Sequence, residues 1–541
     1  MGPGGAKRLR RLLLSVMALS VITALAPAGA SAQGTNVLLV CPTPGIGTCP
    51  GTAYSTVQGA VNAYNPATDW GVLVWPGDYH EAGAQGDGVY VDQTKTGIHI
   101  RGLDRNQTII DGTLSSAATP CSDKQVDQNE TTGRNGIDVW KASGTWIENL
   151  TVCNFLADHY GNGGNEIWWN GGDRSGQIGM GAYWGNYITG TTTYYNPADP
   201  FQAAYGIFSS NAGDPSVQSS INHAYASNMN DSSYYVGACQ QQCDVALNDV
   251  WAENSALGYS GSNAGGKLII QNSRWDNNRS GIVPNSLNND DAPPPQNGAC
   301  PGTQTPCMTI QGNDVHDNNN PNVPGAGIAS AAPVGSGIEI SGGKFDIVRN
   351  NTVHNQGAWG IVVHDYPDTE TPPSSGAATC QNSVGPGGSA PFCYFIAEGN
   401  QVYDNVLHDN GSFGNPTNGD LASQPAAPNP RNCFYGNTDT KGSLTSDPAA
   451  IQTVDGQPCN LPGVGDSGPL AGELVCASGL AGQCPAPPAG PPVDNYPQQT
   501  VVSLAPWSTA DSQPSMPNPC QNVPDNAWCS GGQLALGLNI P

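Results

Sequence analysis

Positive charge is scarce in this sequence, with 18 Lys and Arg against 43 Asp and Glu in 541 residues. So anionic a surface repels phosphate backbones, which argues against nucleic acid as a partner. It argues equally against a purely electrostatic grip on polyanionic sugars, unless calcium bridges the two. Charged residues of either sign make up only 11% of the chain, so its polarity rests on Asn, Ser, Thr, Gln and Gly. Neutral hydrogen-bonding surface of this kind suits carbohydrate, and equally a solenoid that only presents loops. Long hydrophobic runs are also missing. Beyond the first residues, no stretch approaches the roughly 20 apolar residues that a bilayer span needs, so no membrane insertion is expected.

What is present begins with a leader. Lys7, Arg8, Arg10 and Arg11 precede an apolar run from Leu12 to Leu25, and Ala30-Ser31-Ala32 follows. A basic head, a short apolar stretch and small residues at a cleavage point make a secretory signal peptide over 1–32. Its removal leaves 14 Lys and Arg against 43 acids, a net charge of −29. Sixteen cysteines in an exported chain point to disulfides. Near neighbours suggest Cys41/Cys49, Cys239/Cys243, Cys300/Cys307, Cys380/Cys393, Cys476/Cys484 and Cys520/Cys529, with zinc at Cys239/Cys243 as the competing reading.

After the leader, Ser55 is placed to cap a short helix whose Val57, Ala60, Val61 and Tyr64 form one apolar stripe. The strand Val72-Leu73-Val74-Trp75 and the turn Pro76-Gly77-Asp78-Tyr79 follow. A helix in this place would close the open end of a solenoid. Over 54–81, and with the strands Ile98–Gly102 and Thr108–Gly112, the sequence resembles proteins of the pectin-lyase-like β-helix superfamily. The resemblance covers about 37–420. It implies a right-handed parallel β-helix with a capping helix and long loop insertions, and an exposed sheet face of the kind on which such enzymes bind polysaccharide.

An internal repeat supports the same architecture. A small residue, an apolar one, any residue, then an apolar or small one recur as Gly136-Ile137-Asp138-Val139 and Gly206-Ile207-Phe208-Ser209. Further copies start at Ser233, Gly258, Gly281, Gly337 and Gly360, and the steps 233–258, 258–281 and 337–360 fit one three-stranded coil each. A second frame starts at Asn272, Asn313, Asn351 and Asn405. Asn tolerates the turns that join strands, and stacked amides can bond coil to coil. An antiparallel sandwich would instead show hairpin signals at shorter intervals. The segment 158–200 lacks the repeat and reads as an aromatic excursion over one face. The coils are expected over 33–420, with an irregular Pro/Gly/Cys-rich tail over 421–541.

Alternation in strands sets Asp138, Phe208, Tyr235, Ser260, Val283, Glu339 and Val362 outward, with Trp140, Ser210, Ser262, Asn285, Ser341 and His364 two positions on. Glu339 and His364 fall on adjacent coils, roughly 7–8 Å apart. Glu339 is a candidate general acid or base, assisted by His364 and Asp365, with Asp231 as a second acid beside its strand. Each could equally be a polar group on a solvated face or an Asx turn. Tyr235, Asn285, Trp140, Trp168 and Trp169 are candidate sugar contacts. His316, His354 and His408 share one repeat position, and no metal site is assigned to them. Calcium is left open, at Asp290-Asp291 among other places.

The resemblance brings no catalytic set with it. Pectate lyases rely on arginine and calcium, and no Arg cluster falls on the face. Of the polygalacturonase series Asn-Thr-Asp, Asp-Asp, Gly-His-Gly and Arg-Ile-Lys, only Asp-Asp occurs, and the Asp-Pro-His-Glu of alginate epimerases is absent. The sequence therefore favours a secreted β-helix that binds polysaccharide or another glycan on its exposed sheet face. The alternative is a polysaccharide lyase or glycoside hydrolase using carboxylates there. Oligomeric state is left open.

Overall fold

The computed structural model describes residues 34–129, 132–172, 178–198, 203–239, 243–262, 264–286, 308–368, 393–425, 431–454, 469–478 and 495–540. The expected leader over 1–32, Asp290-Asp291, and the pairings involving Cys300, Cys307, Cys380 and Cys484 lie outside the described residues, as does the side chain of Cys393. No helix among the described residues is long and apolar enough to cross a membrane.

The chain winds as a right-handed parallel β-helix. One sheet has eleven strands, running in order from Val89–Val91 through Ser336–Ser341 to Ser446–Asp447. The other has 21 strands and bends once per coil at a residue with positive φ. Tyr187, His223, Asp249, Asn272 and Gly312 occupy that bend in five successive coils. Every pairing within these two sheets is parallel, as a solenoid requires; the antiparallel pairs among the described residues are Tyr366–Asp368 with Cys393–Phe395, Cys529–Ser530 with Gln533–Leu534, and the single bridge Ala157 to Gly163.

Inward residues stack into columns. Ile282 pairs with Ile338, and Ile338 with Ile361; all three are fully buried in one apolar core that runs the length of the coils. The small residue of the repeat precedes this column because a Cβ would collide there. At Gly281 it would lie 2.3 Å from the Gly337 carbonyl oxygen, and at Gly337 2.6 Å from that of Gly360.

The N-terminal end is sealed by the helix Val57–Ala63, whose Val57, Ala60 and Val61 are buried together with Tyr64. Its cap is Thr56 rather than Ser55, with Thr56 accepting from the Gly59 amide. The Glu81 carboxylate also accepts from the amides of Val57 and Gln58, at 2.6 and 3.0 Å, which offsets the helix's exposed donors.

A buried amide ladder joins the coils. Asn313 donates to Asn351 (2.9 Å), Asn351 to Asn405 (2.9 Å), and Asn405 to Asn437 (2.8 Å). The first copy of the Asn frame is shifted by one, because Arg274 pairs with Asp314, so Ser273 and not Asn272 stands at the level of Asn313.

The segment 158–200 is not an excursion. It supplies the strand Asn165–Asn170 to the eleven-stranded sheet and Trp184–Thr191 to the bent sheet. Here Glu166 occupies the place of the small residue and is fully buried, which hid the repeat. Burial holds its carboxyl well above the ordinary range. Disulfides join Cys41–Cys49, Cys239–Cys243 and Cys520–Cys529 as the spacing suggested, and also Cys121–Cys153.

Coil strands continue through Gly419–Gln424, Cys433–Tyr435 and Ser446–Asp447. The residues after 495 then run back along the whole solenoid. The Thr500 amide donates to Asn322, Ala505 to Asn228 and Met516 to Asn149. Arg101 donates to the carbonyls of Pro519 and Gln521, and the Trp528 indole to that of Thr48.

Candidate functional site

The outer face of the eleven-stranded sheet divides into two parts. Toward its C-terminal end it is covered: the helix Pro469–Ala477 and Tyr496 pack over Trp359, Val362 and Ala422. In the middle, Ala329 packs on Leu257 and Val283. Toward its N-terminal end, Tyr90, Trp140, Trp168, Tyr205 and Phe208 remain partly exposed.

That N-terminal half is an aromatic patch. Register places Asp138, Trp168, Phe208 and Tyr235 in one outward column. Trp168 stacks on Phe208 at 4.9 Å, and its indole donates to Ser210. Phe208 meets Tyr235 edge-on at 5.0 Å, and Tyr205 contacts both rings. Asp231 lies at the patch, accepting from the Tyr205 hydroxyl (3.1 Å) and from Ser232 (2.6 Å). Burial pushes its carboxyl up to about 6, against those two hydrogen bonds. Asp138 is also held well above the carboxylate range, by burial and by Asp87, and its Oδ1 is buried with no hydrogen-bond partner among the described residues.

Glu339 and His364 meet, but in a closed setting. Glu339 Oε1 is 2.9 Å from His364 Nε2, and the two residues are 2% and 6% exposed. Ser280 donates to Glu339 Oε2, while His364 Nδ1 faces the Asp365 carbonyl at 2.8 Å. The Asp365 carboxylate, itself buried, accepts from the Ala397 amide. Burial alone would lower His364, but the Glu339 carboxylate outweighs it and holds the imidazole above its ordinary value. Arg279 is similarly enclosed, lowered to about 10 by burial although Glu339 attracts its charge. Asp231 lies three coils away from Glu339, about 14 Å at the usual strand spacing, so these acids do not form one site.

Trp169 is removed from the face. Alternation turns it inward, where it is fully buried and stacks on Tyr183. Trp140 stays partly exposed beneath Lys141, whose ammonium sits 4.9 Å from its ring centroid. Asn285 is bonded along the sheet, accepting from Ser262 and donating to Ser260. His316, His354 and His408 do stack, at 4.9 and 4.8 Å. Parallel rings send their nitrogens sideways to Asp317, Asp314 and Asp409 rather than to one point.

Tyr205 went unnoticed in the sequence because it stands just before the repeat's small residue, Gly206. The cluster Asp78, His80 and Asp111, whose ligand atoms lie within 4.8 Å of one another, was equally hidden, being joined only by coil stacking. Its His80 is raised to about 9 through the hydrogen bond to Asp78.

No protein-family model matches the sequence, and no curated protein matches it. Among solved structures the chain is similar to the A-module of the Azotobacter vinelandii mannuronan C-5 epimerase AlgE4, at 13% identity over 71% of this chain and 90% of that one, TM-score 0.43. It is also similar to a pectin methylesterase from carrot (12% identity, 76% and 91% covered, TM-score 0.31). A third is an alginate lyase from Paenibacillus sp. str. FPU-7 (10% identity, 72% and 93% covered, TM-score 0.30). The fold that the resemblance implied is the one observed.

Proposed function

We propose that the mature chain is a secreted protein that binds neutral polysaccharide along the aromatic half of its eleven-stranded sheet. The observation that carries this reading is the partly exposed group of Trp168, Phe208 and Tyr205, in contact with the buried Tyr235 and beside Asp231. Aromatic rings offer apolar bodies to the C–H faces of sugars, while the neighbouring carboxyl and amides serve the hydroxyls. A net charge of −29 after leader removal disfavours polyanionic glycans. The basic, apolar leader and the disulfides support export.

Affinity electrophoresis against xylan, mannan, β-glucan and an acidic pectin tests the proposal. Retardation by a neutral gel is expected, with Trp168→Ala weakening it about tenfold, or ~1.4 kcal/mol. Wild-type mobility unchanged in every neutral gel would defeat it. A second reading, glycan cleavage, is favoured by one observation: a carboxyl near pKa 6, as Asp231 has, keeps a usable proton close to neutrality. Asp138 is three coils from the Asp231 strand, about 14 Å, beyond the roughly 5–9.5 Å that paired glycosidase carboxyls span. Asp231→Asn keeps an amide able to bond sugar hydroxyls and should weaken polysaccharide retention less than Trp168→Ala. If reducing ends or unsaturated products form with the wild type and vanish in this variant, cleavage is the better reading.

A further inference from the structure

On another side of the solenoid, where the bent sheet turns its corner, a cleft of about 1030 Å³ lies between the coils and the returning C-terminal segment. Its floor follows the bend from Tyr187 through His223, Asp249 and Asn272 to Gly312. Five successive coils put its length at about 19 Å. Trp251 and Arg274, on the strands after the bend, form one wall, and Ser508, Thr509, Ser512 and Gln513 form the opposite one.

The chemistry of these walls is mixed in a particular way. Tyr187 stacks on His223 at 4.4 Å, and Arg274 lies over Trp251 at 4.4 Å, so flat apolar bodies alternate with hydroxyls and amides. The basic side chains that line the cleft all have partners. His223 Nδ1 is 2.6 Å from Asp249, and Arg274 is bonded to Asp276. Arg105 spends its guanidinium on Thr189 and on the carbonyls of Ile188, His223 and Pro514. The Arg105 charge is buried behind these neutral oxygens, and a phosphate or a uronate in the cleft would face Asp249 and Asp314, both exposed.

We infer that this cleft is a second binding site, for a neutral oligosaccharide of three or four pyranose units. The coil repeat of about 4.8 Å is close to the length of one pyranose, so each of the four steps between bend residues spans about one sugar. Aromatic bodies take the ring faces, and the Ser, Thr, Asn and Asp groups take the hydroxyls. The returning segment completes the site, since without it the cleft has one wall.

Calorimetry on the full chain with xylotetraose, mannotetraose, cellotetraose and a tetragalacturonate tests the inference. At least one neutral tetraose binds, and the uronate binds at least tenfold more weakly. Ser512→Trp, which plugs the cleft from the exposed returning segment, and Tyr187→Ala each weaken the neutral ligand at least tenfold. Trp168→Ala leaves that binding unchanged, so this site and the sheet face fail or succeed separately. No heat with any neutral tetraose, preference for the uronate, or wild-type affinity in both cleft variants would overturn it.

Discussion

Asp346 shows how a single buried carboxyl colours the pH response. It is fully buried, and burial raises it to about 8, against an unfolded value of about 3.9. A group raised on folding contributes stability that is complete below its unfolded pKa and is lost as pH rises to the folded one. Between about pH 4 and 8 the wild type should thus lose up to about 1.4 kcal/mol per pH unit at this residue. Asp346→Asn should flatten that slope in urea unfolding followed across the range, and an unchanged slope would contradict the assignment. Glu339 is instead hydrogen-bonded to the buried His364. Glu339→Ala strands His364 and Arg279 and should cost about 3–5 kcal/mol, read as a lower urea midpoint, while glycan retention by the folded fraction is unchanged. The sequence allowed Glu339 and His364 to be placed on adjacent coils. It gave no sign of the helix and loop that cover neighbouring parts of their sheet, because those arrive from positions far along the chain.

Among elements, the buried amide ladder is the feature that periodicity announced most clearly. Asn351 accepts from Asn313 and donates to Asn405 and the Ile310 carbonyl. Asn351→Ala should destabilise by about 1–3 kcal/mol for each group left unpaired, measurable by thermal unfolding; a shift indistinguishable from zero would mean the ladder is ornamental. The frame also misled by one residue at Asn272, since Ser and Asn alternate along Asn272-Ser273 and only strand pairing says which faces inward. Trp168 and Trp169 illustrate the same limit. Neighbouring residues of one strand cannot share a face, but 158–200 was not recognised as coil while Glu166 stood where glycine was expected. Burial holds the carboxyl of that bulky acid well above the ordinary carboxylate range, and it accepts from the Phe155 amide.

At the scale of the molecule, a solenoid's coils touch only their neighbours, so its stability is close to a sum of local terms. The returning C-terminal segment breaks that locality. It bonds to Asn322, Asn254, Asn228, Asn149 and Arg101 in turn. A chain ended at 494 should melt at lower temperature and in a broader transition. Hydrogen exchange should then quicken first in the strands Asp69–Val74 and His99–Gly102, over which the segment ends; equal protection in both forms would remove the segment from the stability argument. Composition read this stretch as irregular, which its backbone largely is. That irregular backbone could be ordered by side-chain amides projecting from the coil turns was not visible without the register of those turns.

The Trp528 indole bonded to Thr48, and packed against Trp75, means that a late stretch of the chain closes over the end where the coils begin. The coils can stack as they emerge, but the seam beside the capping end stays open until residue 528 has followed them.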